Sequence, residues 1–307
     1  MAVPGGRGRR RVRAASRREG RSPGPPGSPC RRYARKPNAL QPRATRGRHR
    51  RRSWRRRHGR PRDLPRRHDG EDRRSIMNVL ILAGGWDKHA PTAFAEWTRA
   101  TLEADGTVVE IEDRLDVLSD EHRMAGTDLV VPLWSSMGSS HDPTLGNLTR
   151  EQEDGLLAAV SAGTGLAGWH GHMGDAFRDR PTFKFLAGSQ FVAHPPGWPD
   201  RPIPEEDFID YRVEPRGDHE IVHDLAPFTV HSEQYYLHVD PAVDVLATTT
   251  FSGEHLPWID GVVMPVTYVK RWGAGRVSYC SIGHDVAEFA IPEVAAMIER
   301  GMRWAAR

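Results

Sequence analysis

The sequence has little cysteine and no long apolar run. Only two cysteines occur in 307 residues, Cys30 and Cys280, which disfavours a disulfide framework and excludes a metal cluster built from cysteine. An apolar stretch of about 18 residues, the length that crosses a bilayer, is missing, and the arginine-rich start lacks the apolar segment of a secretory signal. These absences predict a cytoplasmic protein without a membrane anchor.

Charge is divided unevenly along the chain. Residues 1–76 contain 27 Lys and Arg against 5 Asp and Glu, whereas residues 77–307 contain 17 against 35, so the net charge of +4 is a near cancellation. A basic protein would favour nucleic acid or an acidic membrane surface, but the acidic part would be repelled by both. Its expected partner is a small neutral molecule.

Residues 1–76 are rich in Arg, Pro, Gly and Ser, and with so little apolar surface they are predicted to be a disordered leader. Arginine blocks such as 50–52 and 55–57 would suit a nucleic-acid arm, with Trp54 stacking on a base. The favoured interpretation is an over-extended start, because Met77 stands directly before a clean apolar strand as an initiator would.

From Met77 onward, short β-branched runs alternate with amphipathic stretches, which is typical of a parallel sheet covered by helices. The nearly all-apolar run 128–133 is expected at the sheet centre. Strands are predicted at 79–83, 107–112, 128–133 and 165–168, and then at 190–193, 208–213, 243–249, 264–269 and 276–281 as a mixed or antiparallel extension. Helices are predicted at 91–104, from a Thr149/Gln152 capping box to Gly163, and at 292–304.

Open α/β sheets bind ligands outside the carboxyl ends of their strands, so the residues that follow each strand are the site candidates. We expect the turns carrying His89, Trp134, His170 and His284 to open onto one cavity. The candidates are Trp86, His89, Trp134, Ser135, Ser136, His141, Asp142, Trp169, His170, His172, His284 and Asp285, with His231, Glu233, Gln234 and Tyr235 from a further segment.

Aromatic rings beside carboxylates, amides and histidines suit a polyol, because a sugar presents apolar C–H faces and hydroxyl groups together. In the alternative interpretation, Trp86, Trp134 and Trp169 are core residues with buried indoles. A divalent metal is also compatible with the pattern, with His170, His172 and His231 as candidate ligands. A short His-x-His turn is equally compatible with histidines that bind no metal.

Two other features disfavour familiar chemistries. Gly84-Gly85 resembles the start of a dinucleotide fingerprint, but the third glycine is missing and Pro91 occupies the helix start, so no nucleotide cofactor is expected. Cys280 lies inside an apolar strand, where a lone cysteine is typically an inert core residue rather than a nucleophile.

Five motifs, in this order, resemble the ThuA-like (trehalose utilisation) family. They are 79–85, Gly168-Trp169-His170-Gly171, 233–236, 273–277 with 281–285, and 300–305. The resemblance covers essentially residues 77–307. It implies a flavodoxin-like fold similar to the class I glutamine amidotransferases, with a mostly parallel sheet and helices on both faces.

The resemblance also implies a changed nucleophile elbow. The related amidotransferases carry G-x-C-x-G after a central strand, whereas Trp169 is the residue expected here at the position of the cysteine. Indole cannot attack a carbonyl, so glutaminase activity is not expected. His284 and Asp285 fall where that superfamily keeps its histidine and carboxylate.

Family resemblance implies a hydrolase, lyase or isomerase of trehalose-type disaccharides or their keto derivatives, and a homo-oligomer is compatible with it. His170 and His284 would be general acid and base, and Asp285 and Glu233 would orient them or bind metal. Trp86, Trp169 and Tyr235 would stack on the sugar ring. The pocket would be completed by His89, Trp134, His172 and Gln234. One alternative is a non-catalytic sugar-binding or regulatory protein; nucleic-acid binding through the leader ranks last.

Overall fold

The computed structural model describes residues 77–104, 106–135, 147–197 and 207–307. The predicted leader at 1–76 and three site candidates, Ser136, His141 and Asp142, lie outside these ranges. Among the helices within them, none has the length and apolar character that crossing a membrane requires.

Six α-helices and eleven strands are present in the described ranges. The helices are α1 Pro91–Glu103, α2 Glu121–Gly126, α3 Arg150–Ala162, α4 His170–Gly174, α5 Pro181–Ala187 and α6 Pro292–Ala305. The strands are β1 Asn78–Gly85, β2 Val108–Glu112, β3 Leu129–Ser135, β4 Gly165–Trp169, β5 Ser189–Ala193, β6 Ile209–Pro215, β7 Phe228–Ser232, β8 Tyr236–Val239, β9 Asp244–Thr250, β10 Val263–Trp272 and β11 Gly275–Cys280.

Nine of these strands form one sheet in the order β2-β1-β3-β4-β11-β10-β9-β6-β7. The strands from β2 to β11 in this order run parallel to their neighbours, whereas β10, β9, β6 and β7 are added antiparallel. β5 and β8 form a separate antiparallel pair. The predicted α/β fold, with a parallel sheet and a mixed extension, is therefore confirmed. The assignment of 276–281 to the extension was wrong, because this segment is β11 and runs parallel to β4.

Both faces of the parallel sheet are covered by helices. Along β1, Val79 and Ile81 pack into one core cluster, and Leu80 and Leu82 pack into the other, as the two-residue period of a strand requires. Side chains of α1 and α6 join the first cluster, and those of α3 and α5 join the second. β3 lies in the middle of the parallel strands with every residue buried, which explains its apolar sequence.

Helix α3 begins with the capping box that the sequence predicts. Oγ1 of Thr149 accepts a hydrogen bond from the backbone N of Gln152 at 3.2 Å, and Oε1 of Gln152 accepts one from the backbone N of Thr149 at 2.8 Å. Gly163 ends the helix with a φ of 127°. β4 then begins at Gly165 and ends directly before His170.

Gly155 allows α3 to approach the 3-10 helix Asp116–Ser119. A Cβ atom at this position would lie 2.0 Å from the carbonyl oxygen of Leu118. Alanine usually stabilises a helix interior by about 1 kcal/mol relative to glycine, but Gly155→Ala is expected to lower the free energy of unfolding by about 1–3 kcal/mol, the usual cost of overpacking. Urea denaturation measures the change.

Gly126 provides the matched control for this substitution. It is the last residue of α2, and an added Cβ would meet no atom beyond its own helix within 4 Å in the described chain. Gly126→Ala is expected to leave the urea midpoint unchanged or to raise it. Equal midpoints for the two variants would contradict the packing argument.

Candidate active site

Three histidines from three strand ends meet at the carboxyl edge of the parallel strands. His89 follows β1, His170 follows β4 and His284 follows β11. The centroids of their imidazole rings are 5.1 Å apart for His89 and His170, and 5.2 Å apart for His284 and each of the other two. The structure thus brings together the histidines of three of the four turns that were expected to share one edge.

The fourth turn contributes a serine rather than its tryptophan. Trp134 is buried in the core cluster that contains Leu80, and its ring lies against Gly84, where a Cβ would be 2.4 Å from Cζ3 of the indole. Successive strand residues point to opposite faces, so Ser135 points the other way and its Oγ is hydrogen-bonded to Nδ1 of His89. Trp134 is therefore a packing residue in this structure.

His170 is the first residue of α4, directly after β4, and its backbone is strained. Its φ is 43°, a left-handed conformation that costs a non-glycine residue about 1–3 kcal/mol and that concentrates at functional sites. Gly171 must follow it, because a Cβ there would lie 2.3 Å from Cε1 of His89. A strained strand-to-helix turn is the geometry of a nucleophile elbow. The residue at the elbow position is therefore His170, whereas the family resemblance implied Trp169.

Both ring nitrogens of His170 have partners. Nδ1 lies 3.1 Å from the carbonyl oxygen of Ser281; since a carbonyl only accepts, Nδ1 carries a proton. Nε2 lies 2.8 Å from the hydroxyl of Tyr235, 3.1 Å from Oε2 of Glu233 and 3.3 Å from Nδ1 of His284. With 0% of its surface exposed, His170 is the centre of the cluster.

Glu233 is the carboxylate that joins the histidines. Its Oε1 lies 3.2 Å from Nδ1 of His284, while its other oxygen, Oε2, contacts His170. Burial raises the pKa of Glu233, but the hydrogen bonds from His170 and His284 outweigh burial and hold the pKa well below its ordinary value. Burial lowers the pKa of His284, yet the hydrogen bond and charge of Glu233 raise it overall. The pair therefore favours an ionised carboxylate beside a basic imidazole.

His89 and His172 are kept neutral. Burial, and after it the neighbouring His170, His172 and His284, lower the pKa of His89 well below its ordinary value. Burial also lowers the pKa of His172 to about 3. Nε2 of His172 donates to the carbonyl oxygen of His89 at 2.8 Å, so His172 supports the turn that carries His89 and does not offer this nitrogen to a ligand.

His194 and Asp207 extend the cluster, and neither was predicted. Nε2 of His194 lies 3.8 Å from Oε1 of Glu233, and Nδ1 lies 3.4 Å from Oδ2 of Asp207. The imidazole is stacked on the ring of Tyr235, with centroids 6.0 Å apart. Burial lowers the pKa of His194 by more than the charges of Glu233 and Asp207 raise it. His194 directly follows the predicted strand 190–193, and this position in the sequence could have identified it as a site candidate.

The carboxylate that positions His284 is Glu288, where the sequence suggested Asp285. Asp285 is exposed and accepts a hydrogen bond from the backbone N of Ala287 at 2.8 Å, which caps the 3-10 helix Val286–Ala290. Oε2 of Glu288 accepts from the backbone N of His284 at 3.2 Å, and Oε1 accepts from Ser232 at 2.7 Å. A side chain three residues further along thus fixes the turn.

The remaining predicted site residues lie in different surroundings. Trp169 is 1% exposed and packs in the core with Phe94 and Phe289, so its ring has no face for a sugar. His231 is exposed on β7 and bonded to Asp210 at 2.8 Å, outside the histidine cluster. Gln234 is buried, with its amide nitrogen 2.7 Å from Thr249. Trp86 is half-buried and contacts His89 edge-on, with ring centroids 4.7 Å apart.

Solvent reaches the cluster beside His284 and His194. Their side chains are 22% and 19% exposed, whereas His89, His170 and Glu233 are buried. A separate surface cavity of about 390 Å³ is lined by Arg178, Lys184, Gln190 and Asp240, and no cluster residue lines it. The histidine cluster and this cavity therefore lie in different places.

A family model described as trehalose utilisation matches residues 78–305. The chain belongs to the ThuA family. A ThuA-like protein from Bacteroides uniformis superposes with a TM-score of 0.58 at 17% identity, over 78% of this chain and 95% of that one. One from Parabacteroides merdae does so with a TM-score of 0.57 at 18% identity, over 75% and 90%. These likenesses show a shared fold, and no curated protein matches significantly.

Proposed function

We propose that this ThuA-family protein is a cytoplasmic carbohydrate-processing enzyme that acts on a trehalose-type disaccharide or its keto derivative. The observation that supports the proposal is the convergence of His170, His284 and Glu233, whose nitrogen and oxygen atoms lie 3.1–3.3 Å apart at the carboxyl edge of the sheet. Buried ionisable groups gathered in this way typically mark a reacting centre.

The arrangement suits a reaction that moves two protons. A carbonyl acidifies the neighbouring C–H bond, so one imidazole can accept that proton while the electron pair forms an enolate. When the enolate expels the glycosidic oxygen, the second imidazole donates a proton to it, and the charges balance. We assign these roles to His170 and His284. Glu233 touches both and stabilises whichever imidazole is charged.

The elbow supports this class of reaction over glutamine hydrolysis. The order of the parallel strands is β2-β1-β3-β4-β11, which supports the proposal of a flavodoxin-like fold related to the class I amidotransferases. The elbow residue, however, is the imidazole of His170. Cys280 lies buried in β11, where burial raises the pKa of its thiol to about 11, so it supplies no thiolate.

The test is product formation by the full chain. Trehalose, sucrose and their keto derivatives are incubated with the protein, and released monosaccharide or unsaturated sugar is followed by mass spectrometry. We expect one keto-disaccharide to be consumed at a rate proportional to protein concentration. If no sugar in the panel gives product, with and without added divalent metal, the enzymatic proposal fails.

A second candidate is a non-catalytic sugar-binding protein, and one observation favours it. Nε2 of His170 is enclosed by Tyr235, Glu233 and His284, so a substrate must displace one of these contacts to reach it. Titration calorimetry on the same sugars separates the two functions. Binding with no product by mass spectrometry would favour the second candidate, and turnover would eliminate it.

A further inference from the structure

We propose that His89, His170, His284 and Glu233 bind one divalent transition-metal ion of the zinc class. The inference rests on the proposed function, because it assigns a cofactor to the same cluster. It differs from the ligands suggested by the sequence, His170, His172 and His231, of which only His170 is retained. His172 uses Nε2 to support the His89 turn, and His231 lies exposed on β7.

The first support is the arrangement of the three imidazoles. One ring nitrogen from each of His89, His170 and His284 lies within 4.8 Å of the other two. Their planes are inclined to one another by 74°, 80° and 83°, so the rings surround a common point instead of stacking. Each comes from a different strand end, and the sheet therefore holds the three side chains at fixed separations.

The second support is the set of distances around that point. Nε2 of His170 lies 3.3 Å from Nδ1 of His284 and 3.1 Å from Oε2 of Glu233, and Nδ1 of His284 lies 3.2 Å from Oε1 of Glu233. Ligands that bind zinc tetrahedrally at about 2.0–2.1 Å lie about 3.3 Å from one another. The two nitrogens are therefore spaced as they would be around such an ion, and each of them lies at a comparable distance from a different carboxylate oxygen of Glu233.

The third support is the chemistry of the groups that face the centre of the cluster. Nδ1 of His170 is bonded to the carbonyl of Ser281, so Nε2 is the nitrogen that faces the cluster, with the hydroxyl of Tyr235 at 2.8 Å and Oε2 of Glu233 at 3.1 Å. An imidazole nitrogen and a carboxylate oxygen at this distance share either a proton or a cation. Neutral imidazoles and one carboxylate are ordinary ligands for zinc and similar ions, whereas magnesium and calcium prefer oxygen.

The outer contacts complete the argument. A metal-binding histidine normally gives its second ring nitrogen to a carbonyl, carboxylate or similar group, which fixes its orientation. His170 does so with the carbonyl of Ser281, and His89 does so with the hydroxyl of Ser135. With an ion bound, His170 and His284 would act on the substrate through that ion, in place of the proton exchange assigned to the metal-free cluster.

Zinc titration of the full chain, after dialysis against a chelator, tests the proposal by calorimetry. We expect one zinc ion per chain, and His284→Ala and His89→Ala are expected to weaken binding at least about 100-fold, more than the loss of an outer-shell group does. His231→Ala is the control that should bind as the parent does. Cobalt in place of zinc should give the strong visible absorption of a four-coordinate site in the parent and not in His284→Ala.

Three outcomes would overturn the metal site: no stoichiometric binding, unchanged affinity in both variants, or an equal loss in His231→Ala. His284 is partly exposed, so His284→Ala remains informative if His89→Ala fails to fold. The proposed function has separate failures. Zinc binding without turnover of any sugar would leave the site intact and reject the enzyme, whereas full turnover by chelated protein that binds no zinc would reject only the metal.

Discussion

His170→Asn is expected to lower sugar turnover by about 10²–10⁴-fold, the contribution typical of a residue that exchanges protons with the substrate. Asparagine tolerates the left-handed backbone that His170 adopts, with its φ of 43°, and its amide NH₂ can replace the Nδ1 donor to Ser281. It has no group that titrates near neutral pH. The midpoint of thermal unfolding should therefore change by only a few degrees.

His231→Asn is the matched control for this substitution. His231 is exposed on β7 and bonded to Asp210, and the ring of Phe208 lies between it and His284. Turnover in this variant should equal that of the parent. If His170→Asn turned over substrate at the parental rate, His170 would have no part in the reaction. The roles assigned to Glu233 and His284, which depend on His170, would then be rejected as well.

The convergence of the cluster could be predicted because it follows from the chirality and direction of parallel strands. β1 and β4 were predicted in the parallel sheet, and β11 was predicted as a strand but was assigned to the extension. Because all three run parallel, their carboxyl ends lie along one edge. His89, His170 and His284 each follow one of these ends within four residues. Their proximity therefore depends on topology alone and needs no knowledge of side-chain packing.

The carboxylates could not be assigned in this way, because local turn geometry decides which one points inward. Asp285 and Glu288 are three residues apart, and the 3-10 helix Val286–Ala290 directs Glu288 under the turn while Asp285 caps its start. A helix of five residues carries too little periodicity to be found in a sequence. Helices α2, α4 and α5 were not predicted for the same reason, because they too are short.

His194 and Asp207 were missed for a different reason. They belong to the segment between β5 and β6, where strands pair antiparallel and the rule for parallel strand ends does not apply. Strands β7 and β8, which flank Glu233, have five and four residues and were also not predicted. The sequence therefore predicted the cluster residues that follow parallel strands, but not those in the segment between β5 and β6.

Trp169→Ala and Trp86→Ala are expected to separate a core tryptophan from one beside the site. Trp169 is 1% exposed among Phe94, His172 and Phe289, so its loss should cost about 3–5 kcal/mol of unfolding free energy. In a fold of this size that lowers the thermal midpoint by roughly 6–20 °C. Scanning calorimetry measures the midpoint, and calorimetric titration measures the sugar affinity of whatever protein remains folded.

Trp86 should show the opposite pattern. It is half-buried and touches the ring of His89, so removal of its indole takes away an aromatic face beside the cluster and little core packing. A stacked ring contributes about 0.5–1.5 kcal/mol beyond the area that it buries, so sugar affinity should fall by roughly 2- to 12-fold while the thermal midpoint stays within about 2 °C of the parent. If Trp169→Ala instead kept the parental midpoint and lost sugar binding, Trp169 would be a ligand-stacking residue, and the core packing around β4 would need a different explanation.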